Sequence, residues 1–424
     1  MRAMLLKRIN IYSWQQLRKY SALYLTGDKA REEYASVHPY LDFKGILGDR
    51  KGLQENLAKR KSQINLTKLY EQWDKYRKLQ EEKSTLERKR IDIAESLKNQ
   101  ALREEEIERL KAEGKALRNT LKDLKENSYN FEEEFINKFL EIPNGIHPRT
   151  QEGIIFDSPV KDEVPAAEDQ CHSMVSTVDD HCLYSRGDLA RFEFMFPIYC
   201  QKFLAKKGFV YFANPDFVRS VIVEAAGVDK GRLFRVLEDD AESKINLLHL
   251  SGGGSMMSFL SYITRLSIFS TQLPLSLVAN GRTYSRAGDS RSQGNSVQAF
   301  CATSTVKEAE EKFDELTADL QEIYGKFEQH FRMIYASPEK LDSSEMMRLS
   351  LEMLSTTNGD YKEVASVSFH GDYLSKRLLF NYKSGKETHF PNIVTATFVD
   401  TSQLSIILMD KHKDKIKELL RILK

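Results

Sequence analysis

From Tyr40 to Ile142 the chain contains no proline and is crowded with charge. Within that span Leu66, Leu69, Trp73, Tyr76, Leu79, Leu86, Ile93 and Leu97 are separated by steps of three, four or seven, so they share one helical face. Lys83 and Arg90 interrupt this stripe. After a break near Asn99 and Gln100, the positions Ile107, Leu110, Gly114, Leu117, Leu121, Leu124, Ser128, Phe131 and Phe135 alternate steps of three and four without a slip, which is a heptad seam. Two such helices joined by a short polar link bury their stripes against each other. The spacing therefore predicts an antiparallel helical hairpin of coiled-coil type.

Residues 51 to 126 of this arm carry 20 basic and 15 acidic side chains. Most of them form a solvated surface. The tightest basic cluster is KSTLERKR, in which Lys83, Arg88, Lys89 and Arg90 are candidates to hold a phosphate backbone, with a plain solvated charge run as the other reading.

Beyond the turn signal Ile142–Gly145 the texture changes. A helix is expected over Gly187 to Gly208, then a strand in FVYFANPDFV ending at Pro215. Strand-like runs recur at SLVANG, VASVSF, RLLFNY and VTATFV, with helices from Val306 to Tyr335 and at the C-terminus. Strands scattered among helices imply an α+β fold built on an antiparallel sheet. A chain of 424 residues has room for two or three domains. The expected division is 1–26, 27–141 and 142–424.

The opening residues have a different character. Arg2, Lys7, Arg8, Arg18 and Lys19 are interspersed with leucine, tryptophan and tyrosine, and no acid precedes Asp28. That is the pattern of a mitochondrial transit segment, with a basic first helix of the fold as the alternative. Without those five basic residues, the chain's 63 basic side chains fall to 58 against 62 acidic ones. Binding to nucleic acid must then come from a local surface rather than from the field of the whole molecule. No apolar run approaches the length of a membrane span. Cys171, Cys182, Cys200 and Cys301 show no CxxC spacing and suit a reducing matrix. Cys171, His172, His181 and Cys182 offer four metal-ligand types, but the spacing matches no common zinc module, so no metal is expected.

The helical hairpin, the IPN turn and GDLARFEFMFPIYCQKFLAKKGFVYFANPDFV together resemble the seryl-tRNA synthetases, a class II family. Motif 1 of that family places a glycine and an aromatic before a strand that ends in proline, packed across a dimer axis; Gly208, Phe209 and Pro215 match. EVASVSFHGDYLSKRL follows the family's run around the ATP and metal ligands, with Glu363 and Ser366 in place and Glu352 at the preceding glutamate. Arg282 stands at the arginine that the family sets on the ATP α-phosphate.

The same resemblance marks what has been lost. In HLSGGGSMMSFL, Ser251 and Gly253 fall at a Thr-x-Glu element whose glutamate takes the ammonium of serine. No lysine follows the glycines, so this is no phosphate-binding P-loop. Glycine at such a site is expected to remove a charge partner and loosen the backbone. Tyr284 replaces the carboxylate that partners Arg282, and Ser296 a second basic position. Ser304 falls at the glutamate that reads the serine hydroxyl, and Ile407 at the motif 3 arginine. The chain looks most like a catalytically degenerate mitochondrial branch of the family known in insects. That resemblance implies no catalysis and no cofactor, with Arg282, Glu352, Glu363 and Ser366 as remnants of nucleotide binding or as structural residues.

A retained motif 1 surface and a retained arm imply a dimer and an RNA contact. The expected partner is the mitochondrial seryl-tRNA synthetase, as a heterodimer, or a second copy of this chain; the expected RNA is mitochondrial, with serine tRNA the first candidate. The expected compartment is the mitochondrial matrix. A divergent but active ligase and an RNA-independent adaptor of matrix machinery are the alternatives.

Overall fold

A computed structural model describes residues 21–27, 37–98, 103–150, 153–159, 174–179, 182–237, 245–287, 290–327, 329–355, 359–409 and 413–423. Two short helices, α1 (Phe43–Gly48) and α2 (Arg50–Lys59), lead into the long pair α3 (Leu66–Ser96) and α4 (Glu104–Leu140). Asn65 caps α3 by accepting from the Lys68 amide at 3.0 Å, and Glu104, Glu105 and Glu106 complement the dipole at the start of α4. The two helices pack along the predicted seam: Leu69, Leu121, Ser128 and Phe135 are buried, and a Cβ on Gly114 would touch Ile93 at 3.6 Å. At the base of this arm Phe43 stacks on Trp73 (4.9 Å between centroids) and Phe135 (5.6 Å), which fixes where the hairpin leaves the body.

The body is an eight-stranded sheet: β1 (Gly153–Asp157), β2 (Val210–Tyr211), β3 (Leu275–Ala287), β4 (Ser290–Thr303), β5 (Phe331–Tyr335), β6 (Met347–Leu354), β7 (Tyr361–Gly371) and β8 (Asn392–Asp400). The spatial order is β1-β5-β6-β7-β8-β4-β3-β2, antiparallel throughout except that β2 runs parallel to β3. Strand alternation divides the side chains between two cores. Met333, Leu351, Val367, Ala396, Ala299 and Val278 face α5 (Gly187–Lys206), α8 (Val306–Gly325), α10 (Thr401–Met409) and α11 (Lys413–Ile422). Ala279, Phe300, Ala302 and Ile393 pack on the opposite face with α6 (Ser220–Ala225), α7 (Met256–Ile263) and α9 (Tyr373–Leu378). Among the described residues no helix is long and apolar enough to cross a membrane.

Four expectations are revised. The strand expected in FVYFANPDFV up to Pro215 is only Val210–Tyr211, because it lies on the sheet edge and the chain turns away through Asn214 and Pro215, where proline has no amide to donate; Phe217–Arg219 then pairs with Leu248–Leu250 in a separate small sheet. RLLFNY is not one strand: Arg377 and Leu378 end α9, Leu379 adopts a left-handed conformation (φ 56°), and pairing resumes at Asn381. Leu374, Leu378 and Phe380 all enter the same core, so helical and strand periodicities both fit that window. The helix expected to reach Tyr335 ends at Gly325, and Phe331–Tyr335 joins the sheet. Residues 21–26, assigned by composition to the leader, are packed into the fold: Ala22, Leu23 and Leu25 are buried.

Candidate functional site

The ladder register builds a polar row on the face opposite α5 and α8. Ser350 pairs with Ser366, Ser366 with Thr397 and Thr397 with Gln298, so four short polar side chains cross β6, β7, β8 and β4 in line. Thr397 Oγ1 donates to Gln298 Oε1 at 3.0 Å. A charged row runs beside it. Glu352 pairs with Glu363 across the ladder, but each carboxylate has its own counterpart: Arg332 Nε donates to Glu352 at 2.8 Å, and Ser350 Oγ donates to Glu363 at 2.5 Å. Arg332 also stacks over the Tyr361 ring at 3.5 Å. Arg348 bridges Glu345 (3.4 Å) and approaches Glu363 (3.9 Å), while Ser368 donates to the buried Glu345 at 2.6 Å. Burial in that position raises the Glu345 carboxyl above its usual range, against the pull of Arg348. Carboxylates engaged in this way are held by the protein's own cations, and among the described residues no group of three or more His, Cys, Asp or Glu converges as metal ligands.

The glycine run closes the β3 end of the row. Ser251 and Gly252 both donate their amides to Asp216 O at 2.9 Å, Gly253 N reaches Asp216 Oδ1 at 2.7 Å, and Gly254 N reaches Arg282 O at 3.0 Å. Tyr284 N returns a bond to Ser251 O at 3.1 Å. The backbone comes so close that an added Cβ would meet Arg282 O at 2.0 Å from Gly252, Asn214 O at 2.8 Å from Gly253, and Gly281 O at 2.5 Å from Gly254. Gly252 also sits at φ +91°, a conformation that other residues rarely adopt. The expectation of a loosened backbone is thus reversed: Ser251, Gly252, Gly253 and Gly254 are all buried, and glycine serves there to let two chain segments touch.

Not all of the expected positions converge. Gly253, Arg282, Tyr284 and Ser296 meet at this closure, with Ser296 opposite Gly281 in the ladder. Arg282 is exposed and has no ion-pair partner among the described residues; a half-buried arginine–glutamate pairing is made by Arg332 with Glu352 instead. Ser304 lies beyond the far end of β4, about 26 Å along the strand from Ser296 at the usual rise. It donates through N and Oγ to Glu308 at the start of α8, a capping role. Ile407 is fully buried among residues packed against the other face of the sheet, away from the polar row. Cys171, His172 and His181 fall outside the described residues, as does the side chain of Cys182.

On the arm, Arg88, Lys89 and Arg90 are exposed, as a phosphate contact requires. Lys83 is not. Its ammonium is buried in the seam, where it pairs with Glu132 and donates to Ser128 at 2.8 Å. A cation consumed by a buried carboxylate is unavailable to a phosphate, so Lys83 leaves the exposed cluster.

At the motif 1 segment, Gly208 occupies φ +93° just past α5, and Phe209 is buried in the protomer's own core. Pro215 is exposed, and its carbonyl accepts from Ser258 Oγ at 3.0 Å. The surface apolar groups are others: Phe194 and Ile198 on α5, and Val210 and Tyr211 on the edge strand, are 63%, 45%, 61% and 55% exposed. Their sequence signal was present, since Phe194 and Ile198 stand one turn apart and off the buried stripe Leu189, Phe192, Phe196 and Cys200.

The seryl-tRNA synthetase N-terminal domain matches residues 40–146. A serine-tRNA synthetase-like protein of Drosophila melanogaster, Slimp, is 31% identical over 93% of this chain and 89% of its own length. The mitochondrial serine-tRNA ligase of Mus musculus is 22% identical over 92% of this chain and 82% of that enzyme. Among solved structures, the seryl-tRNA synthetase of Pyrococcus horikoshii complexed with ATP superposes with a TM-score of 0.73, at 15% identity, over 87% of this chain and 93% of that one. The α+β body, the arm and these likenesses agree, and the chain belongs to the seryl-tRNA synthetase family as a seryl-tRNA synthetase-like protein.

Proposed function

We propose that the chain is a non-catalytic seryl-tRNA synthetase paralogue of the mitochondrial matrix, which dimerises through its motif 1 surface and contacts RNA with its arm. It comprises a leader, a helical arm domain and a synthetase-like domain. Its partner is the mitochondrial seryl-tRNA synthetase or a second copy of itself, and its role is to support or regulate that enzyme. The observation that carries the reading is the closure at Gly252–Gly254: backbone fills the place where a serine-binding carboxylate would have to project. A charge-assisted hydrogen bond contributes about 1.5–3 kcal/mol, and losing one preorganised donor costs roughly 100- to 1,000-fold in rate. Groups at Gly253, Tyr284 and Ser296 are missing from one site, so even non-additive losses take adenylate formation below use. Relatives from mitochondria support the compartment.

The test is purification from mitochondria in mild salt, with partners identified by mass spectrometry and bound RNA sequenced. Near-stoichiometric seryl-tRNA synthetase with serine tRNAs supports the subunit reading; recovery of neither refutes it. Arg282, exposed and without an ion-pair partner among the described residues, favours one competing reading, a divergent ligase. ATP–pyrophosphate exchange with each amino acid decides that point, since Arg282-dependent activity would refute the non-catalytic proposal.

A further inference from the structure

The base of the arm meets the body at an arginine that has no carboxylate beside it. Arg377, on α9, is 6% exposed, and among the described residues its guanidinium donates to carbonyls alone. Nη2 donates to Leu140 O at 2.5 Å and to Ile142 O at 3.4 Å, and Nη1 to Glu224 O at 3.5 Å. Its Cζ lies 4.0 Å from the centre of the Tyr373 ring, and Tyr373 Oη donates to the same Ile142 carbonyl at 3.3 Å. Leu140 is the last residue of α4, so the buried cation sits at the negative end of a 37-residue helix, on carbonyls that the helix itself leaves unmade. A buried charge is costly unless its donors are used, and the carbonyls of the arm base are what use them here.

Two further ties flank this one. Arg60, the C-cap of α2, donates to the body carbonyls of Leu341 (3.4 Å), Asp342 (3.3 Å) and Glu345 (2.5 Å). Residues 21–26 cross from body to arm: Leu23 N donates to Glu224 Oε2 at 2.9 Å, and Thr26 N and Oγ1 donate to Glu133 on α4 at 2.9 and 2.8 Å. Leu23 lies in the body core, whereas Tyr24 packs against the cluster at the arm base. Glu224 therefore holds this crossing through its carboxylate and Arg377 through its carbonyl.

We infer that α9, through Arg377 and Tyr373, fixes the angle of the arm, so that the free chain carries the arm in one orientation before any partner arrives. The leverage is large: Asn119 stands about 32 Å along α4 from Leu140, and a turn of about 10° at the base moves it by about 5 Å. Arg377 is a positioning residue. Its place gives the end of the run EVASVSFHGDYLSKRL a use apart from nucleotide chemistry, because α9 follows directly on β7, which carries Glu363 and Ser366.

Spin labels on Asn119→Cys in α4 and Ala318→Cys in α8 report the angle by double electron–electron resonance. Cys171 and Cys182 are replaced by serine, Cys200 and Cys301 are buried, and excess unlabelled chain confines the distances to one protomer. The native chain should give one narrow distance distribution, and Arg377→Met one broader by about 5 Å, with helicity by circular dichroism unchanged. Tyr373→Leu removes the ring and the hydroxyl bond but leaves the arginine; it is the milder variant, should broaden the distribution less, and serves if R377M does not fold. A broad distribution in the native chain, or variants as narrow as the native chain, overturns the inference. No RNA enters the experiment, so its outcome and that of the RNA contact proposed for the arm are independent.

Discussion

The amide of Gly254 donates to the carbonyl of Arg282 at 3.0 Å, which ties the glycine run to the strand that carries that arginine. Restoring a glutamate at Gly253 would place its Cβ 2.8 Å from Asn214 O, a backbone atom that cannot swing away. Gly253→Glu should therefore destabilise the chain by about 1–3 kcal/mol, as overpacking does, and leave ATP–pyrophosphate exchange at background. A G253E chain that is both stable and active with serine would show that the closure opens easily.

Lys83, Glu132 and Ser128 make a buried polar cluster inside an otherwise apolar seam. Removing only the cation leaves Glu132 buried and uncompensated, so Lys83→Met should cost about 3 kcal/mol in arm stability. Lys83→Met with Glu132→Leu should recover most of it. Urea unfolding followed by far-ultraviolet circular dichroism and by the fluorescence of Trp73 reads both. If K83M alone is neutral, the cluster contributes nothing to the hairpin.

Arg88, Lys89 and Arg90 are the exposed cations of that helix segment. If they hold RNA phosphates, replacing all three with alanine should weaken binding at low salt and lower the slope of log K against log salt by about 2–3. K83M should leave that slope unchanged, because its ammonium already faces Glu132. Fluorescence anisotropy with a serine tRNA over a salt series distinguishes the two variants. An unaltered slope in the triple variant would place any RNA contact elsewhere.

The arm was legible because its signal is local: one period, unbroken by proline, with each apolar residue one or two turns from the next. The same seam shows what was not legible. Lys83 reads as a break in a stripe, and only the approach of α4 reveals Glu132 as its reason for being there. The polar row has no local signature at all, since Ser350, Ser366, Thr397 and Gln298 come from four strands and meet only through ladder register. Arg332 could have been found, because it is the charged member of the alternating run FRMIY, but not its pairing with Glu352. Glycine's permissiveness suggests looseness at residues 252–254, whereas the contacts that added Cβ atoms would make show that the glycines permit close packing. Ser304 and Ile407 enter by resemblance alone, and neither shares the space of Gly253, Tyr284 and Ser296.

His249 and His370 are buried, and burial takes both imidazoles from an ordinary value of 6.5 down to about 4, with Lys230 adding to the effect at His249. His370 is held between Ser344 Oγ (3.1 Å) and Thr395 Oγ1 (3.0 Å), and His249 Nε2 meets Ser220 Oγ at 2.9 Å. A folded pKa below the unfolded one means that the unfolded chain takes up protons first. Their contribution is present above about pH 6.5 and is lost as pH falls towards 4, by up to about 3 kcal/mol for each histidine. His370→Gln keeps hydrogen-bonding groups without the titration. Its urea midpoint should fall less between pH 7 and pH 5 than that of the native chain; parallel curves would remove His370 from the acid response.

Phe194 and Ile198 on α5 and Val210 and Tyr211 on β2, the edge strand that follows that helix, are exposed apolar side chains. Neighbouring exposed apolar groups at a strand edge are what a protein covers with a partner. None of the four belongs to the buried core, so charging them should spare the protomer's own packing. Phe194→Glu with Tyr211→Lys is expected to convert a dimer to a monomer, read as a halved mass by light scattering after size exclusion, with Tm at high dilution changed by no more than a degree or two. In mixtures with the mitochondrial seryl-tRNA synthetase the same variant should fail to co-elute. Dimers that survive this double charge would mean that the partner lies on another surface, and would separate the retained motif 1 pattern from any role in assembly.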